Sequence, residues 1–303
     1  MSRKYVIYKN DLKYRESRGL NENKIDWNQN NIKHLFNIDH DSKEYRVAES
    51  KTSNYVDLDM TMTKLNKIPS FIRNNVFVNL EHLFLSNNIL TGSIDLRFLR
   101  NLKMIDIDNN EIVELFLPQS IVEISASHNK LNSFKCDYPN LKRIKISNNT
   151  LNDLDIKMCD KLETLEANDN KLNDVDFSSF RFLKRLIVYT NPIKTIKFPP
   201  ECMYVDVSET SIDKIEDIGK TEHLVLNHCK LIRQLPSSDT VKTLELIDTP
   251  VSKLMFYKNF ELILLQLNLT DSISSKYKKC GGNIQIRKNK FLVISRGIDI
   301  RDE

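Results

Sequence analysis

The stretch Leu141-Lys142-Arg143-Ile144-Lys145-Ile146-Ser147-Asn148-Asn149-Thr150-Leu151 places apolar residues at its first, fourth, sixth and eleventh positions and an asparagine at its ninth. The alternation Ile144-Lys145-Ile146 is that of a strand with one face buried and the other wet. A single strand of this kind cannot bury its own apolar edge. The spacing recurs on both sides of it, as Leu80-Leu83-Leu85-Asn88-Leu90, Leu102-Ile105-Ile107-Asn110-Ile112 and Leu162-Leu165-Ala167-Asn170-Leu172. Eleven units begin at Tyr55, Leu80, Leu102, Ile121, Leu141, Leu162, Leu183, Cys202, Thr221, Val241 and Leu262, in steps of 19 to 25 residues. Such a period makes each unit cover its neighbour, so the expected architecture is a stack of parallel strands.

Each inward Leu or Ile contributes about 1.5–3 kcal/mol on burial, which makes the inward columns the main source of stability. After every strand the chain must turn inside the stack, leaving backbone polar groups in an apolar interior. The carbonyl oxygen and amide protons of Asn88, Asn110, Asn129, Asn149, Asn170 and Asn191 suit those groups. Thr63 stands at this position in the first unit, and Thr210, Cys229, Thr249 and Thr270 from the eighth unit on; these offer fewer bonds, so a less rigid ladder is expected toward the C-terminal end. The back half of each unit is too short for a helix of several turns. A second apolar column (Leu115, Phe134, Ile156, Phe177, Phe198) with prolines at 118, 199, 200 and 236 reads as extended or single-turn 3-10 segments.

These units resemble leucine-rich repeats, whose signature is L-x-x-L-x-L-x-x-N/C-x-L. Leu117-Pro118-Gln119-Ser120-Ile121 and Leu235-Pro236-Ser237-Ser238 resemble the L-P-x-x-L connections of short, bacterial-effector-type repeats. The resemblance implies a β-rich α/β solenoid, a curved slab of about eleven parallel strands with short convex segments and terminal caps. Residues 1–54 read as an N-terminal cap with a short amphipathic helix over Asp26–Phe36, residues 55–272 as the repeats, and residues 273–303 as a C-terminal β-hairpin cap. Ile284–Arg287 and Phe291–Ile294 are its two arms.

No apolar run approaches the roughly 18 residues of a membrane-spanning helix. The polar N-terminus lacks the apolar core of a secretory signal. Five scattered cysteines without a C-x-x-C read as free thiols in a reducing compartment, and the expected location is cytoplasmic. No phosphate-binding, metalloprotease, kinase or hydrolase signature occurs. His223, His228 and Cys229 lie close in sequence, but Cys229 occupies an inward position, which argues against both a metal site and a nucleophile. The reading therefore calls for no enzyme activity, no cofactor and no metal.

What remains is the outward, concave face, formed by the third, fifth and seventh positions of each unit. These columns carry eight acids against three bases, although the whole chain is +4. Residues 51–270 carry −2 and the flanks are basic. That balance disfavours nucleic acid and favours a basic protein or peptide partner. Ile187, Tyr189, Tyr204 and Val225 are expected to stand exposed beside Arg185, Asp206 and His223 as an aromatic-aliphatic patch, with Asp106 and Asp108 as further acidic contacts. The expected function is a non-enzymatic protein-binding module, adaptor or effector in kind. The alternative is a structural subunit of a larger assembly.

Overall fold

Every recurrence of the apolar pattern carries a short strand, and within each of two compact units every front strand of the repeats pairs with its neighbour in that unit. The computed structural model describes residues 56–69, 72 and 77–251 in full. It describes only the backbone of strands at 5–7, 24–26, 253–254, 262–266, 283–287 and 291–295. The chain divides into two compact units, Met1–Thr150 and Leu151–Glu303.

In the first unit the front strands are β1 (Tyr5–Ile7), β2 (Lys24–Asp26), β3 (Asp57–Asp59), β4 (His82–Phe84), β6 (Met104–Asp106), β8 (Glu123–Ser125) and β10 (Arg143–Lys145). Between them on the back lie β5 (Thr91–Asp95), β7 (Glu111–Phe116) and β9 (Phe134–Lys135). The front order is β2-β1-β3-β4-β6-β8-β10, parallel throughout. Leu83, Ile105, Ile124 and Ile144 are mutual partners in register and fully buried, as the alternation requires. The helix expected over Asp26–Phe36 lies, past Asp26, outside the described residues.

In the second unit the front strands are β12 (Thr164–Glu166), β14 (Arg185–Ile187), β16 (Glu201–Asp206), β17 (Lys220–Val225), β19 (Thr243–Leu246) and β21 (Leu262–Gln266), again parallel. Its back strands are β11 (Leu154–Asp155), β13 (Asp174–Asp176), β15 (Thr195–Lys197), β18 (Gln234–Leu235) and β20 (Lys253–Leu254). β13 pairs with β15 and β18 with β20. Two antiparallel strands follow: β23 (Phe291–Ser295) pairs with β21, and β22 (Asn283–Arg287) pairs with β23.

The asparagines close the turns as rungs. Asn110 accepts the Leu90 N–H at 3.0 Å from the preceding turn, and its amide donates to Leu85 O at 3.1 Å and Ile107 O at 3.0 Å. Asn149 repeats this with the Leu131 N–H and the Ala126 and Ile146 carbonyls. In the second unit, Thr210 Oγ1 donates at 2.8 Å to Val207 O of its own turn. The Cys229 thiol reaches Val207 O at 3.3 Å, and Thr249 accepts the Cys229 N–H at 3.1 Å while donating to Leu226 O. Thr270 lies outside the described residues.

The residue before each rung is left-handed: Asn87, Asn109, His128, Asn148, Asp169, Thr190, Glu209, His228 and Asp248 have φ between 51° and 59°. Asn and Asp tolerate this conformation, whereas β-branched Thr190 is strained by it. Two of the six histidines are thereby explained as turn residues.

Cys136 and Cys159 are disulfide-bonded, which corrects the expectation of free thiols throughout. Cys202 and Cys229 are free and buried, and Cys280 lies outside the described residues. Among the described residues no helix is long and apolar enough to cross a membrane. No group of three or more His, Cys, Asp or Glu side chains among them could hold a metal ion.

Candidate functional site

The period of two along a strand sends alternate side chains to opposite faces. In β14 and the residues after it, Leu186 and Val188 are fully buried, while Arg185, Ile187 and Tyr189 alternate with them on the outward side. Register then sets the outward rows of the second unit. Thr164, Arg185, Tyr204, His223 and Thr243 form one row. Glu166, Ile187, Asp206, Val225 and Glu245 form the next. Seven of the nine expected residues are thus brought onto two adjacent rows and their continuation at Tyr189.

Their surroundings differ from expectation in one respect. Ile187 and Val225 are 8% and 7% exposed. Each is a short side chain held between longer ones at the ~4.8 Å strand spacing, Ile187 between Glu166 and Asp206 and Val225 between Asp206 and Glu245. They form an apolar floor and not an open patch. Tyr189 and Tyr204, both half-buried, supply the accessible ring surface. The Arg185 guanidinium stacks 4.5 Å above the Tyr204 ring, and its Nε lies 3.6 Å from the Glu166 carboxylate. His223 Nδ1 is hydrogen-bonded to Thr243 Oγ1, which leaves it a structural partner in this row.

The electrostatics of the floor are acidic. Burial, with the negative charges of Asp169, Asp206, Glu166 and Glu209 around it, pushes the Tyr189 hydroxyl above its ordinary range. Burial and Asp206 do the same to Tyr204, against the opposing Arg185. Burial likewise raises the Asp206 carboxyl, which accepts the Ser208 N–H at 3.0 Å. Asp169 and Glu209 are the left-handed turn residues of their units, outside the three columns that define the outward face in sequence. The period-two pattern therefore missed both.

Asp106 and Asp108 belong to the first unit and are occupied by its own turns. Asp106, 3% exposed, accepts the Asp108 N–H at 3.2 Å. Asp108 accepts from Ser125 Oγ and from the Ser127 N–H at 2.7 Å, and burial followed by the Asp106 charge raises its carboxyl. Asp59 accepts the Thr61 N–H at 2.9 Å in the same way. The sequence signal was available: Asp59-Met60-Thr61, Asp106-Ile107-Asp108 and Asp206-Val207-Ser208 share the spacing of a side chain bonded two residues on. The buried thiols beside the rows are held in their protonated form, since burial raises Cys229 and pushes Cys202 up to about 11.

No protein-family model matches the sequence, and no curated protein does. Solved structures do match. A leucine-rich effector protein, YopM from Yersinia pestis, is 22% identical with a TM-score of 0.57, over 71% of this chain and 67% of its own. The APL1 leucine-rich repeat domain is 21% identical with a TM-score of 0.54, over 73% of this chain and 58% of its own. The chain spans about half the length of the first structures it matches, between 46% and 58% of them. The parallel rows, the asparagine rungs and these likenesses agree on one architecture: the chain has the leucine-rich-repeat fold.

Proposed function

We propose that the protein is a non-enzymatic interaction module that binds a basic protein or peptide segment on the outward sheet face of the Leu151–Glu303 unit. The observation that carries this reading is the acidic field around two half-buried tyrosines. Glu166, Asp169, Asp206 and Glu209 surround Tyr189, and the nearby Arg185 is already turned to Glu166 and Tyr204. A lysine or arginine laid over such rings gains both cation–π attraction and carboxylate pairing. Ile187 and Val225 stand nearly buried in the neighbouring row of the same face, a desolvated setting like that found around binding hot spots.

The test is affinity capture with the wild type and with Tyr189→Ala/Tyr204→Ala, read by mass spectrometry. Both tyrosines are partly solvent-accessible, so the double variant is expected to cost less than about 2 kcal/mol of stability. A protein recovered stoichiometrically by the wild type, released by added salt and lost from the variant supports the reading. Equal recovery by both removes this face from consideration. Replacing Ile187 instead would confound the test, because truncating so buried a side chain costs about 2–5 kcal/mol by itself.

A further inference from the structure

The back of the second unit holds a trough of about 850 Å³ between the β13–β15 ribbon and the segment 213–219. Its origin is a missing strand. β15 is the outer member of a two-stranded sheet, and residues 211–219, which follow in the next turn, form no strand against it. Ile212, Ile215 and Ile218 are buried at a spacing of three, which coils that segment onto the core by its side chains. Gly219 anchors the end of the coil. Its φ is +54°, and a Cβ there would meet Pro199 O at 2.4 Å and Pro200 O at 2.8 Å, so no other residue fits.

The edge of β15 is consequently open. In a parallel ladder, alternate residues turn both backbone groups toward one neighbour. Lys197 O accepts from Phe177 N at 2.9 Å on the β13 side, so Ile196, one residue earlier, presents its N–H and C=O to the trough. An unpaired strand edge is a template for another strand. Below it Ile196 and Phe198 supply an apolar wall. The charge of the rim is negative: Asp176 pairs with Lys197 and Lys214 with Glu216, both at 2.9 Å, which leaves Asp174, Asp213 and Asp217 against Lys194.

We propose that the free edge of β15 docks an extended, basic peptide segment of a partner protein, added to β13 and β15 as a third strand. Backbone bonds to Ile196 give affinity, an apolar side chain fills the trough, and alternate lysines or arginines meet Asp213 and Asp217. The proposal concerns the back of the unit and is independent of the outward face.

The experiment titrates the full chain with a labelled, end-blocked peptide of alternating lysine and valine, followed by fluorescence anisotropy. Two control peptides carry glutamate for lysine or N-methyl groups on alternate residues. Saturable binding of the lysine peptide, weakened about tenfold or more by N-methylation and by Asp213→Lys, is the expected result. It should persist in Tyr189→Ala/Tyr204→Ala. No binding, equal binding of the N-methylated or glutamate peptide, or indifference to Asp213→Lys overturns the proposal. Binding lost only in the tyrosine variant also overturns it, assigns the peptide to the outward face, and leaves the first reading standing.

Discussion

From Asn88 to Asn191 the side chain that closes each turn is an amide, whereas from Thr210 to Thr249 it is a hydroxyl or a thiol. Asn110 and Asn149 each accept one backbone N–H from the preceding turn and donate to carbonyls of both turns. Thr210 has a single proton and spends it within its own turn. The left-handed position before the rung does not follow the same division: Thr190 and Glu209 interrupt a series of Asn, His and Asp that resumes at His228 and Asp248. The exchange of amide for hydroxyl or thiol substitutes residues less suited to a buried turn. One period thus holds a constant backbone geometry while the bonding that secures it declines.

Deleting one rung of each kind should separate the amide from the hydroxyl. Asn149→Ala leaves an N–H and two carbonyls without their partner and should cost about 2–4 kcal/mol in urea unfolding. Thr210→Ala should cost only about 1 kcal/mol. Equal losses would show that the amide is no better than the hydroxyl here. A smaller effect is expected at the left-handed position. Thr190→Asn should stabilise by about 1 kcal/mol, and the reciprocal Asn148→Thr should destabilise by a similar amount, both read as shifts of the unfolding midpoint. No shift in either would mean that the turn relaxes around its residue. Smallest in energy, but most local, is amide exchange. The Leu172 N–H donates to Asn191 Oδ1 at 3.0 Å, while Ile193, one turn on, faces a rung whose hydroxyl proton is turned to Val207 O. Ile193 should exchange about tenfold faster than Leu172 once intrinsic rates are removed, and the reverse order would defeat the idea of a weakening ladder.

How much of this was legible in the sequence follows from the range of each interaction. Strands appear at all eleven repeats because the alternation that makes them is local, as in Ile144-Lys145-Ile146. The asparagine rungs were legible because a polar residue at a fixed inward position has few other uses. The short extended back segments followed from the apolar column and the prolines, and β5, β7, β13 and β15 are such segments. Exposure was not legible. Ile187 is covered by Glu166 and Asp206, each about one turn of chain away, and a column count treats every outward position as open. The bonded state of Cys136 and Cys159 was not legible either, since nothing beside either cysteine in sequence marks it.

The strand-end aspartates have a consequence for how such a surface could change its target. Asp59, Asp106 and Asp206 each fasten the backbone N–H two residues on, so their charge on the outward face comes tied to a structural task. Exchanging one to suit a new ligand would loosen a turn, while Tyr189 or Tyr204 could be exchanged at far smaller cost. Such a face divides into fixed and variable sites, much as a printing forme divides into frame and type. A randomised library built on this scaffold should vary the tyrosine and arginine positions and leave those aspartates in place.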